Sequence, residues 1–213
     1  MPGLRPADHI STRFTLTDAH GGVLSPFDSY QLIRSIKTLT LRAKQHGLNA
    51  LALATFLTAS PHVRDVAYPG LRRAVETTRQ RRERHLAWAQ LSPHAKKWGF
   101  SLGFSRDGPR GFPSSGIVSF HVRSLHAQSQ EESGAAEAFL EALRVFALAE
   151  SLGGVESLAE LPLRMTHSGV DPIRRAQLGI DGELVRLSVG VEEGEDLVED
   201  VRRALEVAVG GGK

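Results

Sequence analysis

The sequence contains no cysteine, which excludes disulfide bonds and thiolate metal sites and permits a reducing compartment. It also has no long apolar run, because the longest mostly apolar stretch, 48–57, is far shorter than the roughly 20 residues that span a bilayer. Prolines and charges interrupt segment 1–10, so it does not fit the pattern of a secretory signal. These absences favour a soluble, cytoplasmic protein with no membrane partner.

Net charge is also small, since the formal sum over the 213 residues is only +2. The arginines are nevertheless unevenly placed, and six of them crowd one segment: Arg72, Arg73, Arg79, Arg81, Arg82 and Arg84. Such a run could contact phosphates, but no aromatic residue interleaves with it before Trp88 and no nucleic-acid-binding module accompanies it. We interpret it as a solvated basic helix, with nucleic-acid binding as the weaker alternative.

The strand pattern points to a sheet with one buried face. Apolar and polar residues alternate at 116–123 and at 184–189, and a short strand is expected at 63–68. With 41% hydrophobic residues the chain can bury a substantial core. We therefore predict an α+β fold, in which a small, mostly antiparallel sheet carries helices on one side.

Helices are predicted before, between and after these strands in the sequence. Ser25 followed by Pro26 marks a helix start, and helical spacing of apolar residues continues to Ala59. Further amphipathic helices are expected at 131–144 and 195–207. The last of them carries an apolar stripe formed by Leu197, Val201 and Leu205.

Two stretches place polar groups on or just after a strand. Residues 146–154 form an apolar strand that ends in Glu150, Ser151 and, one residue later, two glycines. This arrangement can hold a site on a rigid element, although it is also good turn chemistry. Arg186 stands mid-strand between Val185 and Leu187, where a guanidinium could capture a carboxylate through two hydrogen bonds or could simply be an exposed arginine.

The sequence shows no motif for a metal site, a nucleotide-binding site or a nucleophilic serine. The nine histidines show no metal-ligand spacing, no glycine-rich nucleotide-binding turn follows a strand, and no serine lies in a nucleophile elbow. His167 follows Met165 and Thr166, and by itself it is more typical of a satisfied or surface histidine than of a catalyst.

Segment 146–158 resembles the signature of the pyridoxal-phosphate enzymes of cysteine and methionine metabolism, the family of cystathionine γ-lyase, cystathionine γ-synthase and cystathionine β-lyase. Three later motifs, at 165–167, 178–181 and 184–190, are similar to that family's motifs in order and spacing. Upstream, 25–50 resembles the helix that joins the family's two domains, and 66–71 and 116–120 match as well. The resemblance covers 22–205 and is broken at 72–115.

The resemblance implies the C-terminal domain of a fold-type I aminotransferase-like α/β enzyme. In that scheme 1–24 is an irregular lead-in left from the cofactor domain, 25–59 is a long connecting helix, and 60–213 is the substrate-binding domain with an enlarged loop at 72–115. Arg186 would grip the substrate α-carboxylate, the Ser151 segment would help to close that pocket, Glu150 would lie at its mouth and Thr166 would line it. The implied substrate is a sulfur amino acid such as cystathionine, and the full-length family implies a homo-tetramer.

The cofactor of that family, pyridoxal 5'-phosphate, needs a lysine for its Schiff base. The lysines of this chain are Lys37, Lys44, Lys96, Lys97 and Lys213. None lies in the family's Ser-x-x-Lys-Tyr setting, and Lys37 matches an ordinary polar position of the connecting helix. We therefore expect the C-terminal part of a transsulfuration enzyme of cystathionine γ-lyase type, inactive in carbon–sulfur cleavage on its own. The alternative is a cofactor-free interaction module that associates with full-length homologous subunits.

Overall fold

The computed structural model describes residues 21–123, 134–150 and 152–210, and within them the chain forms seven helices and five strands. The helices are α1 (Pro26–Ile36), α2 (Leu39–Ala59), α3 (Thr78–Gln90), α4 (Pro93–Ser101), α5 (Gly134–Ala142), α6 (Pro172–Leu178) and α7 (Gly194–Gly210). The strands are β1 (Val63–Ala67), β2 (Ile117–Val122), β3 (Ala147–Leu148), β4 (Leu158–Glu160) and β5 (Leu184–Ser188). None of the helices in these ranges has the length and apolar character needed to cross a membrane.

The strands form one sheet in the order β1-β2-β5-β4-β3. β2 pairs antiparallel with β1 and with β5, β4 pairs antiparallel with β5, and β3 pairs parallel with β4. The predicted α+β class and mostly antiparallel sheet are confirmed. Because β4 lies between β3 and β5, residues that follow β3 and residues within β5 flank the same short strand.

One face of the sheet is buried beneath helices. Phe120 of β2 and Val185 and Leu187 of β5 belong to the same hydrophobic core as side chains of α2, α5 and α7. Phe120 packs edge to face on Phe139 of α5, with ring centroids 5.5 Å apart. Burial of one such ring contributes about 2 kcal/mol, which fixes the register and turns the intervening residues, Arg186 among them, to the opposite face.

Segment 25–59 is helical, but it forms two helices rather than the single long helix that was expected. Ser25 caps α1, since its hydroxyl accepts from the backbone N–H of Asp28. The break lies at Lys37 and Thr38, where the N–H and the hydroxyl of Thr38 both donate to the carbonyl of Ser35. The chain divides into two compact units near this turn, 1–40 and 41–213.

The segment 72–115 is not the enlarged loop that was expected, because α3 and α4 occupy much of it. A capping box between Thr77 and Gln80 starts α3, and the hydroxyl of Ser92 caps α4. The predicted basic helix is α3, but it is not solvated throughout. Arg84 is buried and directs two hydrogen bonds, from Nε and Nη2, to the carboxylate of Glu76.

The last helix fixes the beginning of β3. Its predicted apolar stripe is buried in the core, and the buried Asp200 of α7 accepts the backbone N–H groups of Arg144 at 3.0 Å and Val145 at 2.8 Å. Its carboxylate also accepts from the guanidinium of Arg203 at 2.6 Å. Burial alone would raise the pKa of Asp200, but these donors hold it below its ordinary value.

We predict that Asp200→Asn lowers the free energy of unfolding at neutral pH by roughly 2 kcal/mol, because an amide presents N–H groups to backbone donors. The ionised carboxylate stabilises the fold above the ordinary aspartate pKa of about 4, and this contribution is lost as the pH falls through the lowered native pKa. Urea unfolding over a series of pH values should therefore show a gap between wild type and variant that narrows in acid.

The matched control is Asp196→Asn, which changes an exposed aspartate in the first turn of the same helix. It should cost a few tenths of a kcal/mol through the helix dipole alone. A loss for Asp200→Asn no larger than for this control, or a gap of constant width at all pH values, would contradict the assigned role.

Candidate carboxylate-binding site

Arg186 and Glu160 form a cross-strand ion pair on the polar face of the sheet. The two residues lie directly opposite each other in the antiparallel pairing of β5 with β4. Nη1 of Arg186 donates to Oε1 of Glu160 at 2.9 Å. The side chain of Glu160 is 1% exposed and that of Arg186 is 32% exposed, so the carboxylate is interior and the guanidinium reaches the surface.

Arg186 keeps most of its hydrogen-bonding capacity. A guanidinium carries five N–H donors, and Glu160 is its only hydrogen-bonding partner within the described parts of the chain. The strand fixes the backbone of Arg186 and the ion pair fixes one nitrogen. The remaining donors are available to a planar anion such as a carboxylate.

Two further titratable side chains act on Glu160. Burial raises the pKa of Glu160, and the negative charge of Glu150 adds to this rise. Arg186 and His167 act in the opposite direction. His167 and Glu150 therefore lie within electrostatic reach of the ion pair. The hydroxyl of Thr166 is 2.7 Å from Nδ1 of His167, which places Thr166 next to the same group of charges.

The structure describes three of the four site residues that were predicted from the sequence. Arg186 is half-buried on β5, Glu150 is exposed just after β3, and Thr166 is exposed in the turn after β4. Ser151 lies outside the described residues. Two residues after it, the N–H of Gly153 donates to the hydroxyl of Ser188 at 2.9 Å, and Ser188 follows Arg186 by two residues. The roles assigned to these four residues stay predictions.

Residues 153–157 are held against the end of β5 by a small cluster of hydrogen bonds. Glu192 accepts the N–H of Ser157 at 2.7 Å and its hydroxyl at 2.8 Å. The Ser157 hydroxyl in turn accepts the N–H of Gly190 at 2.8 Å. This clasp of Ser157, Gly190 and Glu192, together with the hydrogen bond from Gly153 to Ser188, ties residues 153–157 to the end of β5 and the residues that follow it.

Glu160 is a site residue that the sequence reasoning missed. It is the last residue of a three-residue strand in which every residue is buried, so no alternation marks it as a polar-face position. One signal was present: a lone acid stands between Ala159 and Leu161, in an otherwise apolar run. Charged residues are almost never fully buried unless paired, which points to a cationic partner. No group of three His, Asp or Glu side chains suited to a metal ion occurs among the residues described.

Comparison with known proteins gives a consistent result. The model of the family "Cys/Met metabolism PLP-dependent enzyme" matches residues 6–92 and 110–206, so its interruption, 93–109, is shorter than the 72–115 expected. Cystathionine gamma-lyase of Mus musculus is 40% identical over 203 residues, 95% of this chain and 42% of that protein. Cystathionine gamma-lyase of Bacillus subtilis (strain 168) is 40% identical over 191 residues, 87% of this chain and 40% of that protein.

A solved structure agrees with these relatives. The crystal structure of cystathione gamma lyase (CalE6) from Micromonospora echinospora superimposes with a TM-score of 0.65 at 32% sequence identity. It covers 94% of this chain and 43% of that chain. The chain thus spans about two fifths of the length of the proteins that it matches.

We predict that Gly190→Ala opens the clasp of Ser157, Gly190 and Glu192. A methyl group at Gly190 would lie 2.5 Å from the carbonyl oxygen of Val155 and 2.7 Å from the carbonyl carbon of Glu156, and backbone atoms cannot yield as a flexible side chain can. We expect a loss of about 1 to 3 kcal/mol in unfolding free energy. Hydrogen exchange of the Ser157 amide should accelerate more than that of core amides in β2.

Gly169→Ala serves as the control, because a methyl group at Gly169 meets nothing within 4 Å. It should leave both stability and exchange unchanged. If Gly190→Ala behaves in the same way, Gly190 is not needed for the close approach of the two segments.

Proposed function

Because the chain belongs to the family of pyridoxal-phosphate-dependent enzymes of cysteine and methionine metabolism, we propose that it is the substrate-binding part of a carbon–sulfur lyase of the cystathionine γ-lyase type. Its own contribution is to bind and orient the α-carboxylate of a sulfur amino acid such as cystathionine. The observation that carries the proposal is Arg186: a strand-borne guanidinium with one nitrogen on Glu160 and its other donors unoccupied within the described residues.

The surroundings of Arg186 fit an amino-acid ligand. A carboxylate can meet two parallel N–H groups of the guanidinium, and the paired nitrogen limits which edge of the group it uses. Glu150 is exposed after β3 and close enough to influence Glu160, so a negative charge stands near the ion pair. Such a charge disfavours simple dianions and tolerates a ligand that carries an ammonium group beside its carboxylate.

The residues described do not provide the attachment site of the cofactor. Pyridoxal phosphate, when bound to a lysine, supplies the electron sink of the family's chemistry. Here the ammonium group of Lys44 lies 5.2 Å from the centre of the Trp98 ring and that of Lys96 donates to the carbonyl of Ala89. No lysine in the described ranges forms an ion pair with Glu150 or Glu160. The part that we propose for these residues is therefore carboxylate binding.

We extend the proposal to location and assembly. A chain of this kind would work in the cytoplasm and within a homo-tetramer, the assembly that the resemblance implies. What supports the first is the absence of cysteine from the sequence.

We predict that Arg186→Ala weakens binding of L-cystathionine to the full chain roughly 10- to 100-fold, because charge-assisted hydrogen bonds to a carboxylate are lost. Arg186→Lys should fall between wild type and Arg186→Ala, since an ammonium keeps the charge but cannot form two parallel hydrogen bonds. Isothermal titration calorimetry measures all three affinities. Arg82→Ala, which removes an exposed arginine from α3, is the control and should bind as wild type does.

Equal affinities of wild type and Arg186→Ala would contradict the proposed function. If Arg82→Ala also lost affinity, the weaker binding of Arg186→Ala would be explained by the change in net charge alone. The same conclusion would follow if Arg186→Lys bound as tightly as wild type, because only the geometry of the guanidinium distinguishes the two cations.

A second candidate function rests on α1. Large apolar side chains of this helix are exposed, among them Phe27 at 69%, Ile33 at 60% and Ile36 at 59%. Several large exposed apolar side chains on one helix are typical of a protein contact. The helix lies within the part of the chain matched by the family model, and the matched relatives are more than twice as long as the match. We propose that this helix docks a full-length homologous subunit, which makes the chain an interaction module.

We predict that the chain co-purifies with a full-length cystathionine γ-lyase when the two are co-expressed, and that Ile33→Glu abolishes this association because it places a charge in an apolar contact. Gln31→Glu introduces the same charge at an exposed polar position of α1 and should leave association intact. Size-exclusion chromatography with light scattering reads out the complex. A strictly monomeric chain, or an equal loss in both variants, would contradict this second function.

A further inference from the structure

Glu160 is a buried carboxylate that is only half satisfied. Its Oε1 accepts from Arg186, whereas Oε2 is buried and has no hydrogen-bonding partner within the described residues. Buried polar atoms are nearly always paired, and an unpaired carboxylate oxygen in the interior is costly. A structural ion pair between two neighbouring strands does not require this geometry, so the unpaired oxygen calls for an explanation.

The charges that face Glu160 come from three elements. Arg186 lies opposite it on β5, His167 lies in the turn after β4, and Glu150 follows β3. Two carboxylates, Glu160 and Glu150, therefore stand in electrostatic reach of each other, and Glu160 alone is hydrogen-bonded to the guanidinium. A ligand carboxylate that binds Arg186 adds a third negative charge, and this would oppose binding unless one of the acids becomes neutral.

Glu160 is the acid best placed to become neutral. Glu150 is exposed, so water stabilises its charge, whereas Glu160 is 1% exposed and its pKa is already raised by burial. A proton on Oε2 removes the unpaired negative charge from the interior. Oε1 remains an acceptor for Nη1 of Arg186, so the guanidinium keeps its position.

We propose that Glu160 is a positioning residue that holds Arg186 through Nη1 and takes up one proton from solvent on Oε2 when a ligand carboxylate binds the remaining donors of the guanidinium. Atoms and charges balance, since the guanidinium stays cationic, the ligand stays anionic, and no covalent bond other than the new O–H changes. This inference rests on the proposed function of Arg186 as the carboxylate anchor. Its consequence is that affinity for the ligand falls as the pH rises.

The test measures proton uptake by the full 213-residue chain on binding L-cystathionine. Calorimetric titrations in two buffers of different ionisation enthalpy, at a series of pH values, give the number of protons taken up per ligand. Wild type should take up a substantial fraction of one proton on the acidic side of neutrality. Glu160→Gln should bind within a few-fold of wild type, because the amide oxygen still accepts from Arg186, and its proton uptake should vanish.

Two more variants distinguish the role of Glu160 in positioning Arg186 from its role in taking up a proton. Glu160→Asp keeps an ionisable group but is shorter, so it should retain proton uptake while affinity drops about tenfold as Arg186 loses its support. His167→Gln should leave proton uptake in place. Glu183→Gln is the matched control: Glu183 is also a buried glutamate, at 5% exposure, and its carboxylate accepts from the backbone N–H of Ala136, not from Arg186. It should retain wild-type affinity and uptake.

The outcomes distinguish this inference from the function on which it rests. Binding that depends on Arg186 but takes up the same number of protons in wild type and Glu160→Gln overturns the role of Glu160. Uptake lost in His167→Gln and kept in Glu160→Gln assigns the proton to His167 and also overturns it. If wild type binds no L-cystathionine, or binds it equally well in Arg186→Ala, the proposed function fails and this inference fails with it.

Discussion

The pairing of Arg186 with Glu160 is the interaction on which the candidate site depends. A guanidinium on the polar face of a sheet would ordinarily be free to sample many rotamers in solvent. Here the neighbouring antiparallel strand places an interior carboxylate directly across from it, and one nitrogen is held at 2.9 Å. The backbone of β5 and this hydrogen bond together reduce the freedom that a ligand would otherwise have to remove on binding.

Two other acids, the buried Asp200 and the half-buried Glu192, support the same region by accepting backbone N–H groups. Asp200 accepts from the residues that lead into β3, and Glu192 accepts from Ser157 in the turn that follows Glu150. Both contacts join segments that are far apart in sequence, 56 residues in one case and 35 in the other. The described residues of this region, 144–150 and 152–157, include only the two-residue strand β3. Their position is therefore set by these carboxylates and the adjoining strand rather than by an extended ladder.

The sequence predicts those parts of the fold in which one face of an element is buried and the other is not. Alternation predicted β2 and β5, and helical spacing predicted the buried stripe of α7, because each pattern reflects a boundary between core and solvent. Glu160 lies in a strand buried on both faces, so that boundary leaves no alternation to recognise. The turn at Thr38 was equally hidden, because it arises from side-chain and backbone donors that meet one carbonyl within an otherwise helical pattern.

In the basic run around α3, several arginines form ion pairs with acids of the same protein, which changes how this run of positive charge is interpreted. Arg84 and Arg72 both contact Glu76, and Arg79 contacts Glu83. Burial alone would raise the pKa of Glu76, but the hydrogen bonds from Arg84 and from a backbone N–H lower it, so this acid stays ionised and holds both guanidinium groups. The phosphates of a nucleic acid would have to compete with the protein's own carboxylates for these guanidinium groups. The buried Arg84 therefore differs from Arg186: Arg84 directs its donors at Glu76 and Asp107, whereas Arg186 has one donor on Glu160 and presents the rest.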